Sequence, residues 1–535
     1  MSTITVARLS ARPALNPWLI AAAVVVPTFM EVLDTTIALV ALRYIAGGLS
    51  APVTDSEWVI TSYLAANAIV LPMTGWLAAH FGRRNYFLLS IAVFTISSAL
   101  CGMATSLDAL ILFRVLQGLA GGGLQPCSQA VLLDAFPREK QGSAMTLFGV
   151  AALIAPVLGP TLGGWITDNY EWRWIFYINV PIGALAFAAC YALLEDPDYL
   201  KAERAALQRR PVPFDAVGLG LLATAVVCWE VMLSKGQEWD WLGDPFGRVQ
   251  TLLVLFCLGL AGLIFWEPRR PSPVVNFKPL GERNFLLCCV VIFCAYAILY
   301  GSSTALPALL QSLFGYDALH AGLVMSPSGV VAIFVMLAAG FLLGRGKDAR
   351  WLMAAGLLVM AAGNYWMAHL NLEVSSWQVV WPRVVLIGGL SLIFAPLNVA
   401  AYLYTPKELR GAAVGLLSLL RNEGGSVGTS LAQTIQERRE QFHLLRLGEH
   451  LHRFTPAVHS FWEHARALFL HRTGDVARSQ HMVGKVLENV REQQASALAY
   501  FDTFWLFAVL ALLLVALVFV MKRSVAEKRA PLAAE

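Results

Sequence analysis

Glu31 and Asp34 lie one helical turn apart inside an apolar run from Trp18 to Val40. Arg114 stands in a second such run, and Arg421 with Glu423 in a third. In hydrocarbon an ionisable group costs several kcal/mol unless it is paired or hydrated, so each of these is a candidate for function. A carboxylate there can take up and release a proton, bind a cation, or hold a guanidinium in a permanent pair. A nearby cation favours its charged form and desolvation disfavours it, so a rearrangement that alters either balance loads or releases a proton.

Depth argues for an encounter between two of them. Asp34 lies about 16 residues, or roughly 24 Å, from one end of its run, and Arg114 about 7 residues, or roughly 10 Å, from the opposite end of its own. The two depths sum to about the ~30 Å of a bilayer core, so both groups sit at one level. Asp34 is read as the proton-exchanging acid and Arg114 as the group that tunes it; the plainer reading is a fixed ion pair that holds two helices together. Glu31, near the same face, is a second proton site or the counter-charge of a cation, or else an acid that merely faces a water-filled cleft. Arg421, near mid-depth, binds a carboxylate or, as we favour, holds Glu423 or a helix carbonyl. Arg383 is close enough to the end of its run to snorkel to the interface, and Glu230 is read as peripheral. Gln125, Tyr296, Tyr300 and Asn398 are candidate cavity residues, the tyrosines as stacking surfaces for flat apolar molecules.

The elements that position these residues are membrane helices. Only 14% of the 535 residues are charged, 57% are hydrophobic, and the mean hydropathy is +0.62. Ordinary soluble proteins carry about 25% charge, so soluble, disordered and fibrous classes are excluded. Fourteen runs are long enough to cross a bilayer, from 17–40 to 502–521. With the N-terminus inside, 23 of the 39 Lys and Arg residues fall in cytoplasmic segments and four in short outer loops. That asymmetry places both termini in the cytoplasm. A net charge of +4 is too small to indicate nucleic acid. The eight cysteines sit in apolar runs without ligand spacing, so no metal, cofactor or disulfide framework is expected. The membrane core has no His–carboxylate or Cys–His cluster and no nucleotide-binding loop, which disfavours a membrane enzyme and ATP-driven pumping.

The chain repeats itself. At an offset of 269 residues Arg114 aligns with Arg383, the segment Pro137-Arg-Glu-Lys-Gln-Gly142 with Pro406-Lys-Glu-Leu-Arg-Gly411, and Gly159 with Gly428. At 265, Gly75-Trp-Leu-Ala-Ala-His-Phe-Gly82-Arg83-Arg84 echoes Gly340-Phe-Leu-Leu-Gly-Arg-Gly-Lys. Spans 2–5 thus match spans 10–13. The chain divides into a six-helix half (1–194), a linker with an inserted helix pair (195–284), and a second six-helix half (285–535) with a long outer loop, 436–500. Parallel repeats of this kind suit alternating access around a site between the halves.

These residues also carry a family resemblance. The chain resembles the major facilitator superfamily, and within it the fourteen-span drug:proton antiporter group of the EmrB/QacA kind, closest to the EmrB branch. The resemblance rests on Val32-Leu-Asp34-Thr-Thr-Ile in span 1, Gly75 to Arg84 after span 2 and Arg114-Val-Leu-Gln-Gly118 in span 4. It also rests on Gly159-Pro160-Thr-Leu-Gly163-Gly164 in span 5 and Trp174-Ile-Phe-Tyr-Ile-Asn179-Val-Pro181 entering span 6. The chain departs from the pattern at Ala79, where an Asp is usual, and at Arg43, where a Pro is common. The resemblance implies an all-α membrane fold of two six-helix halves plus two inserted helices. It implies proton-driven efflux of hydrophobic or amphiphilic toxic compounds across the bacterial inner membrane. The partners implied are a periplasmic membrane-fusion protein and an outer-membrane channel. Gly159, Pro160, Gly163 and Gly164 correspond to the family's antiporter motif, expected to bend span 5 and pack it against a helix of the other half. Gly75, Gly82, Arg83 and Arg84, with Arg138 and Lys140, are expected at a cytoplasmic gate, with Asp134 and Glu139 as partners. Rival readings are a symporter of the same superfamily or an exporter dedicated to one metabolite.

The loop 436–500 holds seven of the ten histidines and reads as amphipathic helices extending spans 13 and 14 outward, a surface suited to a partner.

Overall fold

The computed structural model describes residues 16–197, 200–201, 204–205, 215–270, 273–406, 409–451 and 455–524. Among these there is no strand. The first thirteen long helices are α1 Pro17–Gly48, α2 Trp58–Phe81, α3 Arg83–Met103, α4 Leu107–Ala135, α5 Arg138–Asn169, α6 Trp174–Leu193, α7 Ala216–Lys235, α8 Arg248–Trp266, α9 Arg283–Ser312, α10 Leu319–Gly344, α11 Ala349–Met367, α12 Ser376–Leu403 and α13 Arg410–Gly448. Then come α14 Pro456–Thr473 and α15 Val476–Phe519. All fourteen apolar runs are occupied by helix. Eleven of these helices are long and apolar enough to cross a membrane on their own, and α5 makes a twelfth when its two arms are joined. The two that fall short are α11 and α13. The latter carries Arg421, Asn422 and Glu423 into the protein interior, where helices and not lipid surround it. Large apolar side chains such as Leu185, Phe334 and Trp351 lie exposed on the outside of the bundle, as a lipid-facing surface requires. The protein is a multi-pass membrane protein.

Local chemistry sets the helix geometry. Asn16 caps α1 by accepting from the Trp18 amide at 3.0 Å, with Pro17 at the first helical position. In α5 the arms Lys140–Pro156 and Leu158–Asn169 meet at 40°. Pro160 lacks an amide hydrogen and its ring crowds the carbonyl of Pro156, which places the bend where it is seen.

The repeat is visible in the packing between halves. At the end of the bundle that carries Arg83, Arg84, Arg345 and Arg410 (the basic end), α2 meets α13 and α5 meets α10. These are repeat-related pairs: span 2 corresponds to span 10 and span 13 to span 5. Gly75 lies so near α13 that a Cβ would stand 3.2 Å from the Gly411 carbonyl carbon. A Cβ on Gly415 would stand 2.8 Å from the Leu71 oxygen. The basic end is therefore closed by backbone-to-backbone contact, reinforced by Phe148 stacked on Phe394 at 6.2 Å.

At the opposite end, where the 436–500 hairpin projects, α2 and α13 diverge around a cavity of about 460 Å³. The inserted helix α7 fills the gap between them. Ser234 bonds Thr61 of α2 at 2.6 Å, and Glu230 accepts from Ser426 of α13 at 3.0 Å. The expectation that Glu230 is peripheral is corrected here: it is buried and lines the cavity, because α7 serves as a wall and not as an outrigger. Arg383 also departs from expectation. It does not snorkel but is fully buried and donates to Ser303 Oγ at 2.6 Å, since α12 lies inside the C-terminal half.

Beyond the cavity α13 and α15 run outward without a break, and α14 packs on α15. Asp502 ties the hairpin by accepting from Arg439 Nε at 2.5 Å and His443 Nε2 at 2.8 Å.

Candidate functional site

The two acids of α1 are treated differently by their surroundings. Asp34 is 2% exposed and does not line the cavity. Its Oδ2 accepts from Arg114 Nη1 at 2.5 Å; its Oδ1 accepts from Gln117 Nε2 at 3.0 Å and Asn179 Nδ2 at 2.7 Å. Arg114, itself fully buried, also donates to the Val59 carbonyl at 3.0 Å and Gln117 Oε1 at 2.8 Å, and lies over the Tyr63 ring at 4.2 Å. One carboxylate thus joins α1, α4 and α6. Its Oδ2 faces a guanidinium, which can only donate, so the Asp34–Arg114 bond has one possible direction.

Glu31 lines the cavity, and its partners are neutral. Oε1 accepts from Asn67 Nδ2 at 3.1 Å and Tyr63 OH at 3.4 Å, and Oε2 accepts from Gln125 Nε2. Amides and a phenol can each donate or accept, so this shell can serve a carboxylate or a carboxylic acid. Gln125 turns its own carbonyl to Arg421 Nη2. The series Glu31–Gln125–Arg421 runs from the N-terminal half to the C-terminal half at the floor of the cavity. Arg421 lies 5.7 Å from the Tyr296 ring and 5.9 Å from that of Phe148. Its hydrogen-bond partners are Gln125 and, at 3.5 Å, Ser418 Oγ of its own helix, and not Glu423.

Tyr300 lines the cavity and stacks on Tyr296, ring centroids 6.2 Å apart. Asn398 is buried away from it, donating to the Phe394 carbonyl of its own helix at 2.8 Å. The glycine–proline motif does not pack as expected. Gly159 meets Thr36, and a Cβ on Gly163 would stand 3.2 Å from the Ile37 oxygen; both contacts are with α1 of the same half, and buried Gly164 follows. The other half is met from the opposite face, where Thr161 bonds Ser326 of α10 at 2.9 Å. The motif thus seats the α1 turn that carries Asp34.

At the basic end Gly82 adopts a φ of +82°, a conformation that favours glycine. It turns the chain so that Arg83 pairs with Asp134, while the Arg84 amide donates to Asp196 Oδ1 at 2.7 Å. The side chains of Arg138 and Glu139 lie outside the described residues.

Asn67, Tyr63, Gln117, Asn179 and Glu230 were not singled out as site residues from sequence. Tyr63 and Asn67 are spaced i, i+4 in an otherwise apolar span, and Gln117 lies i+3 from Arg114; both spacings were legible. The meeting of Asn179 with Asp34 across 145 positions was not.

With this geometry in hand, comparison with known proteins is decisive for the family. Residues 24–429 match the Major Facilitator Superfamily. The chain belongs to that superfamily. It is 37% identical over 483 residues to the multidrug export protein EmrB of Haemophilus influenzae, covering 90% of this chain and 91% of that one. It is 35% identical over 496 residues to EmrB of Escherichia coli K12, covering 92% and 93%. The fatty acid resistance protein FarB of Neisseria gonorrhoeae is 36% identical over 436 residues, covering 82% and 84%. Among solved structures, the proton:xylose symporter XylE superposes with a TM-score of 0.57 at 12% identity, covering 96% of this chain and 97% of that one. The superfamily fold is thus shared with proteins of very different sequence, and the chain is a transporter by family.

Proposed function

We propose that this transporter is a proton-driven exporter of amphiphilic toxic compounds, working by alternating access across the bacterial inner membrane with both termini in the cytoplasm. The supporting relatives are the EmrB proteins, named for multidrug export. The observation that carries the mechanism is the bonding of Glu31. In the present arrangement its carboxylate accepts from Gln125, and Gln125 accepts from Arg421 of the opposite half. A proton on Glu31 turns an acceptor into a donor. Gln125 must then turn its amide over and lose Arg421, or Glu31 must give up one of its bonds. With the proton on Oε2, the oxygen that faces Gln125, either outcome weakens a link between the halves, which is the coupling an antiporter requires. Asp34 and Arg114 keep α1, α4 and α6 as one body while this happens. In the proposed orientation the cavity faces outward and the basic end is the closed cytoplasmic gate.

The cavity lining carries Glu31, Glu57, Glu230 and Glu437 and, among the described residues, no Lys, Arg or His. This favours lipophilic cations over weak acids. The hairpin formed by α13, α14 and α15 is the surface on which a membrane-fusion protein would dock and pass substrate to an outer-membrane channel.

The test uses inverted vesicles with an imposed proton gradient. A lipophilic cation is expected to discharge the gradient with the wild type and not with Glu31→Gln. Equal discharge by the two would remove Glu31 from coupling. Discharge by weak acids alone would overturn the substrate class.

A further inference from the structure

The inserted helix carries a cavity acid to which the proton mechanism above gives no part. Glu230 of α7 is 2% exposed and accepts from Ser426 Oγ at 3.0 Å on α13. Glu423, one turn earlier on α13, is 7% exposed, and its carboxyl lies against that of Glu230 and beside Trp229. Neither Glu423 oxygen has a hydrogen-bond partner that satisfies ordinary geometry. Neither acid has a basic partner among the described residues.

The surroundings offer no compensating charge. On α13, Arg421 points away to Gln125. On α7, Lys235 is taken by Glu57 and Glu238 at 3.0 and 2.7 Å. The helix α8 brings charge only at its ends, where Arg248 is held by Asp244, and beyond it at Glu267. Around the same cavity α2 contributes Thr61 and Tyr63, α9 and α15 the phenols of Tyr300 and Tyr500, and the remaining charged groups, Glu31, Glu57 and Glu437, are all acids. Two buried carboxylates in contact, without a cation, are costly as a doubly charged pair. One proton held between them gives each a partner: a carboxyl on one side donates to a carboxylate on the other, the arrangement known for paired carboxylates in enzyme sites.

We infer that Glu230 and Glu423 form a second proton-binding site of the transporter, placed between the inserted helix and the C-terminal half and open to the cavity through Glu230. The site rests on the proton-coupled reading for its use in transport, but it binds its proton independently of Glu31. It assigns the inserted pair a role that the twelve repeat-related helices do not fill. When α13 moves relative to α7, the two carboxyls part, and the shared proton leaves through the cavity from Glu230.

Infrared difference spectra of the purified full-length protein in lipid, low pH minus high pH, report protonated carboxyls through their C=O stretch. The wild type is expected to show two bands that grow as the pH falls. Glu31→Gln removes one. Glu230→Gln and Glu423→Gln each remove the same second band from its wild-type position, because the carboxyl that remains no longer shares its proton and absorbs elsewhere. Glu230→Asp, which keeps the acid and shortens its reach, shifts that band; this variant decides the matter if an amide variant fails to fold. A second band that survives both amide variants, stays unmoved in Glu230→Asp, or splits into two bands lost separately, overturns the pair. If Glu31→Gln leaves both bands in place while Glu230→Gln removes one, the Glu31 reading falls and the pair stands.

Discussion

Replacing Asp34 by Asn separates a structural charge from a transported one. The substitution keeps the shape and removes the charge. Asp34 now faces only donors: Arg114, Gln117 and Asn179 at 2.5, 3.0 and 2.7 Å. An Asn amide has one acceptor oxygen and must turn its NH2 toward at least one of them. Arg114 is left fully buried without its counter-charge. Breaking one side of a buried pair costs about 3–5 kcal/mol. At roughly 2 cal/mol/K of unfolding entropy per residue, a chain of 535 residues melts about 3–5 °C lower. Thermal unfolding of the detergent-purified protein, followed by tryptophan fluorescence, reads this directly. The double variant Asp34→Asn/Arg114→Gln recovers part of the loss, since no unpaired charge remains. Glu31→Gln, whose partners are neutral, melts close to wild type yet fails to couple. The reasoning is refuted if Asp34→Asn melts like wild type and binds substrate normally but moves no protons. That result makes Asp34 the proton carrier and leaves Arg114 as the group that tunes it.

Gln125→Leu removes the bridge between Glu31 and Arg421 while leaving both charges; transport is expected to fall by tenfold or more with the apparent substrate affinity changed less, measured as initial rates in vesicles. Gly75→Val places a branched side chain against the Gly411 backbone and holds the basic end apart; thiol labelling of Asn422→Cys from the cytoplasmic side is expected to rise and export to fall, whereas unchanged labelling would show that the seam can yield. Replacing 449–475 by a short flexible link removes α14 and shortens the hairpin; gradient discharge in vesicles is expected to persist while drug resistance in cells that supply a membrane-fusion protein is lost. Asp244, in the turn between α7 and α8, is held down to about 2 by the Arg248 side chain. Because that value lies below the ordinary one, its stabilising contribution is complete above about pH 4 and fades as the pH falls toward 2. Asp244→Asn should therefore destabilise the protein equally at pH 8 and pH 5.

The membrane helices were legible because hydrocarbon imposes a length and a composition that no other element meets. The Asp34–Arg114 encounter was legible because depth along a straight helix is simple arithmetic. What the sequence hid was lateral position. Glu230 sits in an inserted helix outside the repeat, and nothing in its neighbours announces that α7 stands where α2 and α13 part. Arg383 illustrates the same limit: counting residues to the end of α12 gives its depth but not that Ser303 lies in reach. Gly159 and Gly163 were correctly read as surfaces for close approach, but a smooth face does not name its partner, which proved to be α1.

The contrast between Glu31 and Asp34 follows from bond direction more than from burial, since both are buried. Asp34 is bonded at Oδ2 by a guanidinium, which can only donate and cannot reverse. Glu31 is surrounded by amides and a phenol that can exchange roles, so a proton there only reverses bonds. The reversal is felt across the protein because one of those amides, Gln125, is spoken for on its far side by a donor that cannot reverse. Replacing Arg421 by Gln should relax that constraint. Gln125 could then satisfy Glu31 in either state without breaking contact with α13, and proton flux should continue without substrate. A tight, substrate-dependent flux in Arg421→Gln would show that the link between the halves is made elsewhere.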